Sequence, residues 1–276
     1  MSAWLPAPSC TPRECARHLG AVRGPLPALA LLTAGCALTL LGVLCVPAAL
    51  CLAPSARDRA IRRWAYAVVR SFGVRVRVTG DAEDRRAGEL VVANHVSWLD
   101  VPLVAAVLPA RMVAKSEIRR WPLLGAVAAL GGTLFIDRDR LRALPHAVGA
   151  LTRALSAGSR VAVFPQGSTW CGRGAGGPFR PAAFQAAIDA GAPVRPVRIR
   201  YRADGTDSGG AAAFVGDDPL AASLWRVVTA AGLTAEIRLL PPLPAGGAQG
   251  RRELARAAQS AVDSDSANLP AVSVHH

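Results

Sequence analysis

Residues 89–100 read Glu-Leu-Val-Val-Ala-Asn-His-Val-Ser-Trp-Leu-Asp, and this stretch decides how the rest of the chain is interpreted. The apolar run at 89–93 predicts a buried strand. The polar residues that follow should therefore lie at the end of that strand, where the active sites of α/β proteins collect. There His95 could hold a hydroxyl proton, while Asp100, five positions on, fixes the orientation and the tautomer of its ring.

Strand and helix patterns alternate over the middle and the end of the chain. Strands are predicted at about 74–78, 89–93, 111–114, 133–137, 160–164, 194–201 and 234–240. Helices are predicted at about 59–71, 98–107, 121–130, 141–157, 180–190 and 218–230. This alternation favours an α/β fold, in which a layered mixed sheet is flanked by helices.

A long apolar segment precedes this pattern. No charged residue occurs from Gly24 to Ala56, and such a run can cross the ~30 Å hydrocarbon layer as one helix. Residues 25–53 are therefore predicted to be a transmembrane or membrane-inserted segment of the cell membrane. A cleavable signal peptide, a hairpin broken at Pro47 and a buried core helix are the alternatives. Flanking arginines slightly favour a folded domain that faces the cytoplasm.

Composition sets the other boundaries. Residues 1–24 contain several prolines and predict a flexible tail, residues 57–258 form one domain, and residues 259–276 are predicted to be a polar, disordered tail. The net charge of +13 suits anionic lipid headgroups or phosphate-bearing substrates. Because no zinc-finger spacing and no aromatic RNA-binding signature occurs, we expect no nucleic-acid partner.

The cysteines do not suggest a disulfide framework. A disulfide scaffold would spread them through the soluble domain, whereas three of the six lie in the apolar segment, so we expect reduced thiols. Their spacing matches no metal site with histidine partners, and no metal is expected. The six are Cys10, Cys15, Cys36, Cys45, Cys51 and Cys171.

Three further segments follow the His95 stretch in order, at residues 132–138, 163–169 and 194–199. Together the four resemble the ordered motifs of the glycerolipid acyltransferase family, whose best known members are the 1-acylglycerol-3-phosphate acyltransferases. The resemblance implies that 57–258 is an acyltransferase domain bound to the membrane. It further implies transfer of a fatty acyl group to the free hydroxyl of a lysophospholipid, foremost 1-acylglycerol-3-phosphate, which becomes phosphatidate. The co-substrate would be acyl-CoA or acyl carrier protein, and no other cofactor is implied.

Acyl transfer gives the first motif a chemical role. His95 would take the proton of the attacking alcohol, and Asp100 would bond the far nitrogen of its ring. This is a protease triad in which the hydroxyl of the substrate replaces the serine. Ser97 is a rival nucleophile, but it lacks the G-x-S-x-G setting of hydrolase serines.

Cations and bare backbone at Lys115, Gly132 and Arg138 could bind a phosphate. The resemblance associates this lysine and this arginine with the phosphate of the acceptor, although Arg138 could equally end a strand and extend into solvent. The third motif adds Gln166, Gly167 and Ser168 as substrate-binding candidates.

The third motif departs from the family pattern Phe-Pro-Glu-Gly-Thr-Arg at Gln166, Ser168 and Thr169. Loss of the arginine removes a phosphate donor, so the acceptor could be another lysolipid, such as an ornithine lipid precursor, unless a neighbouring cation such as Arg180 substitutes. Glutamine keeps the shape of glutamate but not its charge. A catalytically impaired, lipid-binding paralogue is therefore the second alternative.

Overall fold

The computed structural model describes residues 10–18, 20–80, 88–120, 124–137, 141–172, 176–203, 209–246 and 250–264. Seven strands of this part form one sheet. Its strands are β1 (Arg75–Gly80), β2 (Leu90–Ala93), β3 (Arg111–Lys115), β4 (Leu134–Ile136), β5 (Val161–Val163), β6 (Val194–Ala203) and β7 (Leu233–Leu239).

The strand order is β1-β7-β6-β2-β5-β3-β4. Every pair of neighbours is parallel except β6 and β7, which are antiparallel. The predicted α/β class with a mixed sheet is therefore confirmed. Each predicted strand is present. Strands β2 and β5 are apolar runs that are buried on both faces, whereas β1 and β7 alternate, with one face less buried than the other.

Nine helices accompany the sheet in the described part of the chain. They are α1 (Pro12–Cys15), α2 (Pro25–Leu50), α3 (Pro54–Ser71), α4 (Asp100–Val107), α5 (Leu124–Leu130), α6 (Leu144–Ser156), α7 (Ala182–Ala190), α8 (Leu220–Thr229) and α9 (Arg251–Asp263).

The sheet separates two apolar cores. Side chains of α3, α4 and α8 fill one, and side chains of α6, α7 and α9 fill the other. Strand β2 contributes side chains to both cores. Val91 and Ala93 lie in the first core, and Leu90 and Val92 lie in the second. Successive strand residues point to opposite faces, so a fully apolar strand is what a three-layer fold requires.

Helix α2 is the apolar segment, and it runs 26 residues through Pro47 without a break at that proline. Its mean hydropathy is 2.4 over the most apolar window, of which only 11% is buried. It packs along α3, where Gly42 lies against the indole of Trp64 and Gly35 lies against the ring of Phe72. The helix is therefore joined to the domain by close contacts that only glycine permits.

The prediction of a flexible tail over residues 1–24 is wrong for the described residues from Cys10 onward. Arg23 donates to the carbonyls of Gly73, Val228 and Ala230 at 2.9, 2.9 and 2.5 Å. Val22 also forms a bridge with Ala230. Proline-rich composition predicts a lack of regular structure, but it carries no information about such tertiary contacts.

The prediction of a disordered tail over residues 259–276 is wrong at its start. Helix α9 extends to Asp263, so residues 259–263 are helical rather than disordered, and residues 265–276 lie outside the described part. The helix buries Leu254, Ala255, Ala258 and Val262 on one face. Residues 259–263 are mostly polar, which gives them the composition of a tail, although Val262 continues the helical spacing of Leu254 and Ala258.

A buried ion cluster lies where β2, β5 and β6 begin. Glu89 is fully buried, and its two carboxylate oxygens accept from Arg160 Nε at 2.6 Å and from Arg195 Nε at 2.7 Å. Arg195 itself is 1% exposed. Since His95 follows the other end of β2, this cluster lies at the opposite edge of the sheet from it.

Candidate active site

His95 lies in the loop that joins the end of β2 to the start of α4. The loop is held against β6 by Asn94, whose side chain donates to the carbonyl of Ile199 and accepts from its N–H, both at 2.8 Å. Through these two bonds the side chain of Asn94, just after β2, pairs with the backbone of β6 in the way that a further strand residue would. The position of the next residue, His95, is thereby fixed relative to the central strands.

The predicted pair of His95 and Asp100 is in direct contact. Nδ1 of His95 lies 2.8 Å from Oδ2 of Asp100. The same oxygen accepts from the backbone N–H groups of Val96 at 2.6 Å and Ser97 at 2.9 Å. Asp100 is fully buried, so these bonds replace the water that its carboxylate lacks. The carboxylate therefore holds the proton of the ring on Nδ1.

Tyr201 on β6 is a partner of Asp100 that the sequence did not reveal. Its hydroxyl donates to Oδ1 of Asp100 at 2.6 Å. Burial, followed by the charge of Asp100, raises the pKa of Tyr201 well above 10.0, so the phenol remains a donor. A tyrosine at an inward position of an alternating strand is the signal, but the sequence does not say which residue lies opposite.

The ring of His95 packs on Phe164, with the two centroids 4.1 Å apart and the planes at 15°. Its side chain is 20% exposed. With Nδ1 bound to Asp100, Nε2 carries the lone pair that can meet a substrate hydroxyl. The arrangement of a held, partly exposed imidazole and a buried carboxylate is that of a general base with its orienting group.

Ser97 does not share this access. The residue is fully buried, and its Oγ accepts from the N–H of Leu99 at 3.3 Å. A nucleophile must reach its substrate, so burial argues against the rival interpretation that the sequence allowed.

Gln166 contacts the same loop through both ends of its amide. Oε1 accepts from the backbone N–H of His95 at 2.7 Å, and Nε2 donates to the carbonyl of Gly177 at 3.2 Å. The residue is 4% exposed. A carboxylate could accept from His95 but could not donate to Gly177, so glutamine suits both neighbours.

The rest of the third motif forms a turn beyond β5. Gly167 has φ +76°, where a side chain would be strained, and its N–H donates to the carbonyl of Phe164 at 3.1 Å. Ser168 is half-buried in the same turn. The hydroxyl of Thr169 bonds the carbonyl of Phe214, and the N–H of Trp170 donates to the carbonyl of His95 at 2.7 Å. These bonds hold the motif against the His95 loop.

The cationic candidates lie at this edge of the sheet or outside the described residues. Lys115 is exposed and is the last residue of β3. Strand β5 lies between β3 and β2, so two strand spacings place β3 about 10 Å from β2. Arg138 lies outside the described residues, two positions beyond the end of β4. Arg180 is exposed, and its backbone N–H donates to the carbonyl of Pro165 at 2.9 Å.

Gly132 is not brought together with His95. It has φ +76°, precedes β4 at the opposite edge of the sheet, and its carbonyl accepts from Arg111 Nε at 2.8 Å. There it lines a cleft of about 930 Å³ with residues of α2 and α3, such as Val46 and Trp64. Its predicted place beside the phosphate-binding cations is therefore not what the structure shows. The glycine follows α5 in a turn and precedes β4. The sequence did not settle that β4 runs parallel to β2, which places Gly132 at the end of the strands away from His95.

Among the described residues one group has metal-binding geometry, and it consists of Cys10, Cys15 and Cys171 rather than of His95 and Asp100. Burial raises the pKa of Cys10 to about 11 and also raises that of Cys15, so these thiols are poor nucleophiles unless a metal ion displaces their protons.

Comparisons with known proteins identify the family. A family model described as Acyltransferase matches residues 75–200. The lyso-ornithine lipid O-acyltransferase of Pseudomonas aeruginosa is 39% identical over 208 residues, which cover 75% of this chain and 78% of that protein. The 1-acyl-sn-glycerol-3-phosphate acyltransferase of Neisseria meningitidis is 38% identical over 184 residues, which cover 67% and 71%.

A solved structure has the same fold. The crystal structure of the 1-acyl-sn-glycerophosphate acyltransferase PlsC from Thermotoga maritima superposes with a TM-score of 0.65, over 86% of this chain and 94% of that one. The two sequences are 20% identical, so this similarity bears on the architecture alone.

Proposed function

The chain belongs to the glycerolipid acyltransferase family, and we propose that it moves a fatty acyl group from acyl-CoA or acyl carrier protein to the hydroxyl of 1-acylglycerol-3-phosphate, which gives phosphatidate. It is an O-acyltransferase by its relatives, whereas the donor and the acceptor are part of the proposal. The observation that carries it is the 2.8 Å contact of the partly exposed His95 with the buried Asp100.

The proposed mechanism uses these two residues as a base and its orienting group. Nε2 of His95 takes the proton of the lipid hydroxyl as the oxygen attacks the thioester carbonyl. Asp100 stabilises the imidazolium that forms, and Tyr201 keeps the carboxylate in place. When the tetrahedral intermediate collapses, the thiolate of the donor leaves and takes the proton back from His95. Atoms and charge balance without a metal or any further group.

Lys115 is the described cation that best suits the phosphate of this acceptor. It lies at the same edge of the sheet as His95, and its side chain is exposed. Its flexible stem can carry the ammonium group towards the loop that contains His95. Arg138 is proposed as a second phosphate ligand on the strength of the family resemblance, and Gly167 and Ser168 as backbone and hydroxyl donors.

A phosphate-free acceptor, such as a lyso-ornithine lipid, is the second candidate. Residues 165–172 contain no charged side chain, and Thr169, which replaces the arginine of the family motif, bonds Phe214. The changes at 166 and 169 together remove one negative and one positive charge, so the motif keeps its net charge. The 39% identity to a protein named lyso-ornithine lipid O-acyltransferase also favours this acceptor.

The bonds of Gln166 argue against the impaired paralogue. Because the amide holds both His95 and Gly177, its role in the described structure is to order backbone, and that role needs no charge. Activity in the chain as it stands is therefore part of the proposal.

We place the enzyme at the cell membrane with its catalytic domain towards the cytoplasm. Helix α2 leaves much apolar surface uncovered, with Leu26, Leu29 and Leu44 exposed by 79%, 53% and 61%. Exposed apolar surface of this extent marks a contact with lipid or with another protein. Since α2 also packs along α3, insertion of the α2–α3 pair into one leaflet explains the contacts as well as a span does.

Purified protein tested with a panel of lysolipids, each with acyl-CoA and with acyl carrier protein as donor, decides donor and acceptor together. Phosphatidate formation as the fastest reaction supports the proposal, and strong selectivity for a phosphate-free lysolipid replaces it with the second candidate. No transfer to any acceptor would contradict both.

Variants then test the site. His95→Ala should lower turnover by ~10²–10⁴-fold, whereas His146→Ala, an exposed histidine on α6, should leave it unchanged. Lys115→Met should weaken use of the phosphate acceptor by about tenfold, equivalent to about 1.4 kcal/mol. Arg251→Met, which removes an exposed charge at the start of α9, is the matched control.

A further inference from the structure

Three thiols from distant parts of the chain meet beside the third motif. Cys10 lies just before α1, Cys15 ends α1, and Cys171 directly follows Trp170. Their Sγ atoms all lie within 4.8 Å of one another. Cys171 is buried, and the other two are half-buried.

The backbone around these thiols is closely packed. Gly210 has no side chain, which lets the carbonyls of Cys15 and Arg17 approach it, since an added Cβ would lie 3.1 and 2.2 Å from them. Gly216 is in ordinary van der Waals contact with the same segment, since an added Cβ would lie 3.4 Å from the carbonyl oxygen of Cys10. The thiols therefore meet because the segment 10–17 is seated on the segment 209–216, and not by a chance rotation of exposed side chains.

We propose that Cys10, Cys15 and Cys171 bind a zinc ion through three thiolates, with the fourth position open to water. Soft sulfur ligands select Zn²⁺ among the common divalent ions. Zn–S bonds of ~2.3 Å in a tetrahedral site place sulfurs about 3.8 Å apart, so small side-chain rotations from the present spacing suffice.

The number of thiols favours a metal over a disulfide. A disulfide uses two of them and leaves the third, whereas a zinc ion uses all three. Two of the three also lie on one short segment, five positions apart, and the third reaches it from another part of the fold. This pattern of one local pair and one remote ligand ties two segments together, as structural zinc sites do.

A bound ion would connect the N-terminal segment to the active site. Cys171 is the neighbour of Trp170, whose N–H donates to the carbonyl of His95 at 2.7 Å. Fixing Cys171 would therefore restrain the loop that carries the base. The role is one of positioning, since no cysteine of the cluster contacts the reacting atoms of the proposed mechanism.

The metal content of the full-length protein tests the site without reference to activity. Protein purified in detergent, without a metal-affinity step, should hold one zinc per chain by elemental analysis. Cys171→Ser, Cys10→Ser and Cys15→Ser should each lose it. The matched control is the triple replacement of Cys36, Cys45 and Cys51 by Ser on α2 and just after it, which should keep one zinc.

Two measurements protect the test against misfolding of the variants. Wild-type protein depleted of metal by a chelator should unfold several degrees lower and recover when zinc alone is added back. Cobalt substitution should produce the intense thiolate-to-cobalt absorption of a sulfur-rich tetrahedral site, and Cys171→Ser should weaken it.

Three outcomes would overturn the proposal. If purified wild-type protein contains no metal and a thiol reagent alkylates all three cysteines, there is no zinc site. A mass of the non-reduced protein that is lower by two hydrogens, with Cys171 bonded to Cys10 or Cys15, replaces it with a disulfide. Bound zinc that Cys10→Ser, Cys15→Ser and Cys171→Ser all retain places the ion elsewhere. Because lipid transfer plays no part in these readouts, their failure is distinct from failure of the proposed function.

Discussion

The side chain of Gln166 accepts a hydrogen bond from the backbone N–H of His95 at 2.7 Å and donates one to the carbonyl of Gly177 at 3.2 Å. One amide thus joins the turn after β5, the loop after β2 and the glycine-rich segment that follows. The direction of the amide is fixed, because only its oxygen can accept from His95.

Gln166→Glu should not activate the enzyme. The carboxylate would face the carbonyl of Gly177 in a buried place, so we expect the free energy of unfolding to fall by about 1–3 kcal/mol, and turnover to stay level or fall. Urea denaturation in detergent and the acyl-transfer assay measure the two effects. Gln185→Glu is the control for burial, because it also sets a carboxylate against an acceptor, Oδ1 of Asp189, but at a solvated position of α7 where the cost should be smaller. A several-fold gain in turnover of Gln166→Glu would show that the charge matters.

Tyr201→Phe should destabilise the protein while most activity survives. It removes one of the four donors to Asp100, and a bond to a charged group is worth about 1.5–3 kcal/mol. Tyr66→Phe, on an exposed position of α3, should cost far less. If both variants unfold at the same urea concentration as the wild type, the bond contributes nothing.

Tyr201 should also make stability depend on pH in alkaline solution. Its pKa is raised in the folded state, so above pH 10.0 the unfolded chain releases the phenol proton and the folded chain keeps it. The unfolded state then binds fewer protons, and stability falls as the pH rises. Tyr201→Phe should show a shallower fall between pH 9 and pH 11 in the same denaturation experiment, and an unchanged slope would contradict this assignment.

Ser97→Ala should retain most of the turnover that His95→Ala loses. Its hydroxyl is fully buried and contacts the N–H of Leu99 and the phenol of Tyr201, so its removal costs about 1 kcal/mol of stability. Steady-state kinetics of the two variants side by side provide the measurement. A folded Ser97→Ala protein as inactive as His95→Ala would restore serine as a candidate nucleophile.

Glu89→Gln should destabilise the fold by about 3–5 kcal/mol, because it removes the negative charge that Arg160 and Arg195 contact in a buried place. Glu236→Gln is a close control, since Glu236 also contacts two arginines, Arg77 at 3.4 Å and Arg202 at 3.2 Å, but in a solvated place. There the cost should be about 1 kcal/mol or less. Equal losses in the urea midpoints of the two variants would contradict the role of burial.

Local sequence determined the strands, the main helices and the first half of the site. Strand β2 could be predicted because Leu90 to Ala93 are all apolar, and the contact of His95 with Asp100 because five residues at the end of a strand keep the two side chains near each other. Helix α9 was within reach of the same reasoning, since Leu254, Ala258 and Val262 have helical spacing.

Tertiary structure alone decided which distant residues complete the site. Tyr201 reaches Asp100 across 101 positions, Gln166 reaches His95 across 71, and Gly132 proved to lie at the far edge of the sheet from His95. The meeting of Cys171 with Cys10 and Cys15 belongs to the same class. The physical reason is that apolar periodicity and short spacing act within one segment, whereas a contact between segments depends on strand order and helix packing, which minimise the free energy of the whole chain.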